Sequence, residues 1–334
     1  MIPTQTLARF IHAQEKQVPQ STGELSDLLT SIALGVKIIA RLVQTAGFKG
    51  LQGYTGRVNV QGEKTHLLDE EADQVLMELL GSSGHFGLLV SEERDSVVAA
   101  KEGRRDAKYV VAFDPLDGSS NIGTNIPVGT IFTIFRKVDP DKEAQHDDFL
   151  QKGRSIVAAG YSIYGAKVSF VYSCGAGVHG FTLDPDVGEF VLTEEKIVIP
   201  DKGKIYSVNE GYYPIWDEPT IKFIESIKKE DEERGTPYSG RYVGSLVSDF
   251  DRTIRKGGIF LHPANKKRER GKLRLLYECM PLAFIAEQAG GRAVDGTCDI
   301  LDIKPQNIHE RCPFIAGGKY EIDWFMRVMA ETRG

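Results

Sequence analysis

The chain of 334 residues is poor in cysteine and carries no excess of positive charge: four Cys occur in all, and 41 Lys+Arg stand against 47 Asp+Glu, a formal charge of −6. The cysteines (Cys174, Cys279, Cys298, Cys312) are scattered, with no C-x-x-C pair, so neither a zinc cluster nor a disulfide framework is suggested, and reduced thiols in a cytoplasm are the expectation. No run of about 18 apolar residues is visible. Met1 leads into Ile2-Pro3-Thr4-Gln5-Thr6 rather than a basic region and an apolar core, so neither a membrane span nor a secretory signal is expected. The mild acidity argues against sequence-independent nucleic-acid binding, which relies on a basic surface. Internal repeats and low-complexity tracts are also missing. What remains is an ordinary globular composition, 41% hydrophobic and 26% charged, long enough for two domains or one large α/β domain.

Leu25, Leu28, Leu29, Ile32, Val36, Ile39 and Val43 fall at helical spacing, with Gly47 as the expected stop. Ser21-Thr22-Gly23-Glu24 fits a capping box, Ser21 as cap and Glu24 reaching back. A second helix is read through Leu68, Ala72, Val75, Leu76 and Leu79 to Gly81. Short β-rich runs follow: Phe86–Val90, Tyr109–Phe113, Thr130–Phe135, Ser155–Ala159, Lys167–Tyr172 and Glu189–Leu192. The polar segment Thr193–Lys204 is the expected domain boundary, giving units 1–199 and 200–334. Ile205–Val208 follows it; downstream, helices are expected near Pro219–Lys229, Leu246–Ile254, Met280–Gln288 and Trp324–Ala330, with strands Gly258–Leu261 and Leu273–Leu276 between.

The most informative stretch is Asp114-Pro115-Leu116-Asp117-Gly118-Ser119-Ser120, directly after an apolar strand. A tight turn there aims two carboxylates and the Leu116 carbonyl at one point, while the Gly118, Ser119 and Ser120 amides form a concave row of donors suited to phosphate. Asp-Pro and Asp-Gly are also common turn dipeptides. Glu92-Glu93 ends another strand in the same way; read alone it is a solvated strand end, but parallel-type sheets collect sites at such ends. Asp69, on the polar side of the second helix, and Glu278 are individually unremarkable. Hard oxygen ligands without a His or Cys cluster select Mg²⁺ or Mn²⁺ over a closed structural zinc site. Phosphate-ester hydrolysis most needs them, because a phosphate dianion repels its nucleophile until cations screen it, and a spare carboxylate can relay the water's proton. A phosphocysteine route lacks its Arg cradle, and Asp184-Pro185-Asp186 is read as a turn.

Against the net acidity, Asn265-Lys266-Lys267-Arg268-Glu269-Arg270-Gly271-Lys272 is a basic run, mostly a solvated loop except for Lys272, which introduces a strand. Arg241-Tyr242 and Asn209-Glu210-Gly211-Tyr212 add donors and aromatic faces, as a second anionic group on a substrate would require. Nucleic acid is the competing partner, but the run is short and lacks interleaved aromatics.

Taken in order, Asp69, Glu92-Glu93 and Asp114-Pro115-Leu116-Asp117-Gly118-Ser119 resemble the metal motif of the inositol-monophosphatase superfamily of metal-dependent phosphatases. Within it, Asn209-Glu210-Gly211-Tyr212, Arg241-Tyr242-Val243-Gly244-Ser245, Phe260 to Lys267 and Gly271-Lys272 to Glu278 look like the class I fructose-1,6-bisphosphatase family. The resemblance implies an α/β fold, a layered αβαβα sandwich of two subdomains assembled as a homotetramer. It implies cytoplasmic hydrolysis of fructose 1,6-bisphosphate, with sedoheptulose 1,7-bisphosphate as the nearest alternative substrate and a catalytically silent sugar-phosphate sensor as the alternative of another class. Carried over by position, Glu92, Glu93, Asp114, the Leu116 carbonyl, Asp117 and Glu278 would ligate two or more Mg²⁺ per subunit, with Mn²⁺ or Zn²⁺ as substitutes. Asp69 and Glu93 would assist the water. Asp117, Gly118, Ser119 and Ser120 would meet the 1-phosphate; Asn209, Tyr212, Tyr242, His262 and Lys272, with Arg241 from a neighbouring subunit, would hold the 6-phosphate and sugar. The family usually has Tyr where His262 stands, so that contact is expected to be pH-sensitive near 6.5. AMP inhibition is implied by Thr22, Gly23, Glu24, Leu25 and Ser26 at a helix start, with Lys108, Tyr109 and Arg136. No nucleic-acid or membrane partner is expected.

Overall fold

The computed structural model describes residues 5–16, 22–58, 64–100 and 107–333. Its helices are α1 (Leu7–Glu15), α2 (Glu24–Lys49), α3 (Leu67–Ser83), α4 (Glu218–Lys228), α5 (Leu246–Lys256), α6 (Met280–Gln288) and α7 (Lys319–Arg333). Strands β1 (Tyr54–Val58) and β2 (Lys64–His66) form a ribbon before α3. An eight-stranded sheet then comprises β3 (Phe86–Ser91), β4 (Val98–Ala99), β5 (Tyr109–Asp117), β6 (Val128–Arg136), β7 (Ile156–Tyr164), β8 (Val168–Ser173), β9 (Val178–Asp184) and β10 (Glu189–Ile197), in the order β10-β9-β8-β7-β6-β5-β3-β4. The C-terminal part holds β11 (Ile205–Ser207), β12 (Ser239–Gly240), β13 (Ile259–His262), β14 (Leu273–Arg274), β15 (Arg292–Val294), β16 (Arg311–Cys312) and β17 (Phe314–Gly317). Five of these make a second sheet, β12-β11-β13-β17-β15, and β14 pairs with β16.

The apolar patterning places helices on both faces of each sheet. α1, α2 and α3 cover one face of the large sheet through Leu28, Ile32, Val36, Leu68 and Leu76 against Val111, Phe132 and Phe170. α5 and α6 fill the space between the sheets, where Val247, Phe250, Leu282 and Ile285 meet Ile131, Tyr161, Phe260 and Phe314. α4 and α7 close the far side through Phe223, Ile227, Trp324 and Phe325. The five layers are the αβαβα sandwich the resemblance implies.

Several element ends depart from the sequence reading. α2 runs through Gly47 and stops at Gly50, and α3 runs through Gly81 and stops at Gly84, both stops in the left-handed conformation (φ 69° and 70°). A mid-helix glycine costs only about 1 kcal/mol, whereas the stop of α2 is placed where Leu51 N can close on Ala46 O and Leu51 can pack on the core. α2 starts at Glu24 with Gly23 at its cap; Ser21, assigned to a capping box, lies outside the described residues. By length and mean composition α2 is long and apolar enough to cross a membrane (mean hydropathy 1.5 over 18 residues), but Lys37 and Arg41 interrupt it, no unbroken apolar run of that length occurs, and half of that stretch is buried within the fold. β10 continues to Ile197, into the polar segment read as a boundary, because it pairs with β9 at Glu194 and Ile197. Helix α1 and strand β9 went unread. Cys298 is exposed, while Cys279 and Cys312 are buried.

Candidate active site

The large sheet is antiparallel except for one pair: β3 runs parallel to β5, with Ser91 opposite Phe113. The strand-end argument made for a parallel-type sheet therefore applies to this pair alone. It is enough, since Glu92 and Glu93 leave β3 beside Asp114, and Glu92 N donates to Phe113 O at 3.1 Å.

β5 does not end at Phe113 in a turn, as the sequence suggested, but continues to Asp117. Asp114 pairs with Ile131 and Asp117 with Gly129, three steps against two, so one extra residue is inserted into β5. Residues i and i+3 of a regular strand face opposite ways; the inserted residue shifts the alternation and turns both carboxylates to one side. Pro115 suits this irregularity because it has no N–H to leave unpaired, and its carbonyl accepts from Thr130 Oγ1 at 2.8 Å. Leu116 N donates to Asp114 Oδ1 at 3.0 Å. Gly118, at φ 80°, then turns the chain into the short 3₁₀ helix Ser119–Thr124, whose first residues, Ser119 and Ser120, line the cavity with Gly118.

A cavity of about 420 Å³ is lined by Asp69, Glu92, Glu93, Asp114, Leu116, Asp117, Gly118, Ser119, Ser120, Tyr242, His262, Lys272 and Glu278, together with Tyr54, His66, Asp249 and Arg274. Thirteen of the residues singled out for metal or substrate thus share one wall system. Ligand atoms of Asp114, Asp117 and Glu278 lie within 4.8 Å of one another. Asp69 is not on a solvated face: it is 4% exposed, and its Oδ2 accepts from His66 N at 3.1 Å at the start of α3. Glu278 is not at a strand end either; β14 stops at Arg274 and Glu278 lies in one π turn, Leu275–Cys279, before α6. Asn209 and Tyr212 do not line the cavity but stand behind Tyr242, Asn209 by a side-chain hydrogen bond to it. Arg241 is exposed and does not line the cavity, its Nη1 donating to Gly240 O at 3.0 Å.

Burial and mutual repulsion dominate the electrostatics. Burial pushes the Glu93 carboxyl up to about 8, with Asp69, Glu92 and Asp73 adding to the shift. Burial likewise lifts Glu278 to about 8 and Asp117 to about 7, the latter opposed by the Val247 N–H at 3.1 Å from its Oδ2. Asp114 is held well above its ordinary value by burial, then by Glu92, Asp117 and Glu278. Buried carboxylates so raised suit a cation that keeps them ionised, and an all-oxygen donor set suits a hard divalent one. His262 departs from the expected pH-sensitive contact: burial, then Lys272, pushes it down to about 4, so the ring is neutral near pH 6.5.

Arg274 and Asp249 escaped the sequence reading. Arg274 is 3% exposed and ion-paired to Glu92 at 2.7 Å. A lone cation within Leu273-Arg274-Leu275-Leu276 was the available signal, because such a residue is buried only when paired. Asp249, fully buried, accepts from Ser207 Oγ, Val243 N and Gly244 N, and so holds the loop that presents Tyr242. No sequence signal marked it.

The residues assigned to AMP also meet, at the far end of β5. Lys108 Nζ lies 2.9 Å from Thr22 Oγ1 and 3.2 Å from Glu24 Oε1, and Tyr109 pairs with Arg136, whose guanidinium lies 5.8 Å from the Tyr109 ring centre. Ser26 Oγ donates to Glu15 Oε2 at 2.7 Å.

Converging buried carboxylates beside a row of phosphate-type donors, in a layered αβαβα sandwich, define a metal-dependent phosphatase site. The chain belongs to the fructose-1,6-bisphosphatase family: it matches the fructose-1-6-bisphosphatase N-terminal domain over residues 5–195 and the C-terminal domain over residues 199–330. It is 50% identical over 318 residues to the class 1 fructose-1,6-bisphosphatase of Sulfurihydrogenibium sp. (95% of each chain) and 47% identical over 336 residues to that of Nitratidesulfovibrio vulgaris (99% of this chain, 100% of the relative). Among solved structures it resembles Leishmania major fructose-1,6-bisphosphatase in holo form, with a TM-score of 0.91 and 40% identity over 97% of this chain and 98% of that one.

Proposed function

We propose that this cavity removes the 1-phosphate of fructose 1,6-bisphosphate by hydrolysis, yielding fructose 6-phosphate and phosphate, the gluconeogenic step, in the cytoplasm. Family membership over the whole chain supports the reaction. The observation that carries the site is the convergence of Asp114, Asp117 and Glu278 beside the Gly118–Ser120 amides, with Lys272 in the same cavity.

Glu92, Glu93, Asp114, the Leu116 carbonyl, Asp117 and Glu278 would hold divalent cations, Mg²⁺ by the oxygen chemistry of the donors, with Mn²⁺ or Zn²⁺ as substitutes. Bound there, such cations would screen the phosphate dianion and acidify the attacking water. Asp69 and Glu93 orient that water and take its proton on a carboxylate oxygen; that Glu93 Oε2 is buried without a partner supports this role. The Gly118, Ser119 and Ser120 amides hold the scissile phosphate. Lys272, Tyr242 and His262, backed by Asn209 and Tyr212, hold the other phosphate and the sugar. Residues 1–199 carry the carboxylates other than Glu278 and the nucleotide contacts, and 200–334 carry Glu278 and most of the sugar-bisphosphate contacts. The exposed Arg241 serves a neighbouring subunit of a homotetramer, and the Thr22–Ser26, Lys108, Tyr109 and Arg136 cluster takes AMP as an inhibitor. Phosphate release with Mg²⁺ from fructose 1,6-bisphosphate, sedoheptulose 1,7-bisphosphate, inositol 1-phosphate and a nucleoside monophosphate tests the reading. A clear preference for fructose 1,6-bisphosphate supports it, and no preference refutes it.

A further inference from the structure

Two residues with no part in the reading above join two of the chain segments that carry its carboxylates. Glu92 and Glu93 run on into Arg94 and Asp95 after β3, while Glu278 lies in the π turn after β14. That turn is tied to the segment around residue 310: Leu275 N donates to Glu310 O at 2.7 Å, and Leu273 and Arg274 pair with Cys312 and Arg311. The tie places His309 beside the turn. Tyr277, fully buried and next to Glu278, brings its hydroxyl to 2.9 Å from His309 Nδ1, with the rings edge to face, 5.9 Å between centres. The main-chain carbonyls of Asp95 and Arg94 also lie close enough to act on the His309 ring, although its buried Nε2 has no partner at full hydrogen-bond geometry. One tautomer serves both neighbours: Nδ1 accepts the Tyr277 proton, and Nε2–H is left for the carbonyls.

We propose that Tyr277 and His309 are positioning residues, a strut that sets the spacing between the Glu92–Glu93 segment and the Glu278 turn and thereby the affinity of the site for a divalent cation. Arg274 also links Glu92 and Glu278, through its buried guanidinium at 2.7 and 3.7 Å and through its main-chain N on Glu278, and there it balances charge. The strut acts on the main chain, through two planar rings packed against each other. Groups that orient ligands from outside the coordination sphere change metal affinity by about 10–100-fold when removed.

The inference rests on the metal-dependent reading of the cavity, and the test separates the two. Mn²⁺ binding to the whole protein is followed by electron paramagnetic resonance of free Mn²⁺, alongside Mg²⁺ activation, for wild type, Tyr277→Phe, His309→Asn and the double variant. Tyr277→Phe loses one oxygen and keeps the ring, so the packing survives. Mn²⁺ binding should weaken about tenfold in Tyr277→Phe, as should half-activation by Mg²⁺. KM for the bisphosphate at saturating Mg²⁺ should stay within about twofold, and the double variant should be no worse than the weaker single, since both break one linkage. Unchanged Mn²⁺ affinity in both single variants overturns the strut, whether or not Tm falls. Wild-type protein that binds no Mn²⁺ overturns the metal reading and the strut with it.

Discussion

Arg274 and Glu92 form a buried ion pair, Nη2 to Oε1 at 2.7 Å, at the centre of a cluster that also contains Glu93, Asp114, Asp117 and Glu278. The same arginine's main-chain N donates to Glu278 Oε2 at 2.5 Å, so one residue meets carboxylates from β3 and from the π turn. Removing one partner of a buried pair strands the other charge and costs about 3–5 kcal/mol. Arg274→Met should therefore lower Tm sharply in EDTA and recover part of the loss in Mg²⁺. Thermal scans with and without the metal check this, and a Tm indifferent to the substitution would contradict the pairing.

Asp117→Asn removes a ligand charge with almost no change of volume. Turnover should fall at least about a hundredfold, because the site acts through charge opposed to cations. Metal-free Tm should rise by a few degrees, as clustered carboxylates at functional sites store repulsion. Near wild-type phosphate release at any Mg²⁺ concentration would sink the assignment.

Lys272 lines the cavity and is proposed to meet the phosphate that does not react. Its loss should raise KM for the bisphosphate at least about tenfold and lower kcat as well, since remote binding energy positions the reacting group. Activity on a monophosphate lacking the second phosphate should change far less. Steady-state kinetics of Lys272→Ala on both substrates decides, with equal losses counting against the role.

Metal-free stability should depend on pH in a defined direction. Glu93 and Glu278 titrate near 8 in the fold and Asp117 near 7, each raised first by burial, against ordinary values near 4. A raised acid adds stability that is fully present below the unfolded value and is lost as pH rises through the folded one. Tm in EDTA should accordingly fall between about pH 4.5 and 8, and the gain on adding Mg²⁺ should widen over the same range. A flat Tm in EDTA across that window would show the carboxylates to be less buried than drawn.

AMP should inhibit without competing with substrate. The Lys108 cluster and Asp114 sit at opposite ends of β5, so the nucleotide can reach the carboxylates along one strand only if it binds two states of the protein unequally. Lys108→Ala should weaken inhibition about tenfold or more, by loss of a charge-assisted contact, with the uninhibited rate little changed. Full activity of wild type at millimolar AMP would defeat the assignment.

The sequence by itself determined which residue types carry the chemistry. Helical spacing marked α2 and α3, apolar runs marked β3, β5 and β6, and D-P-L-D-G-S-S with Glu92-Glu93 marked the acidic wall. Chain order alone sufficed there, because a strand end and its flanking residues are local. Tertiary structure decided how those groups meet. Asp114 and Asp117 face one side only because β5 carries an extra residue opposite Ile131 and Gly129, and a bulge is set by its partner strand rather than by its own sequence. The parallel pairing of β3 with β5 in an otherwise antiparallel sheet and the buried pairing of Arg274 with Glu92 depend on residues tens to more than a hundred positions apart. The helix stop at Gly50 was likewise chosen by packing over the nearer Gly47, because a glycine permits an end but only a neighbouring contact makes it favourable.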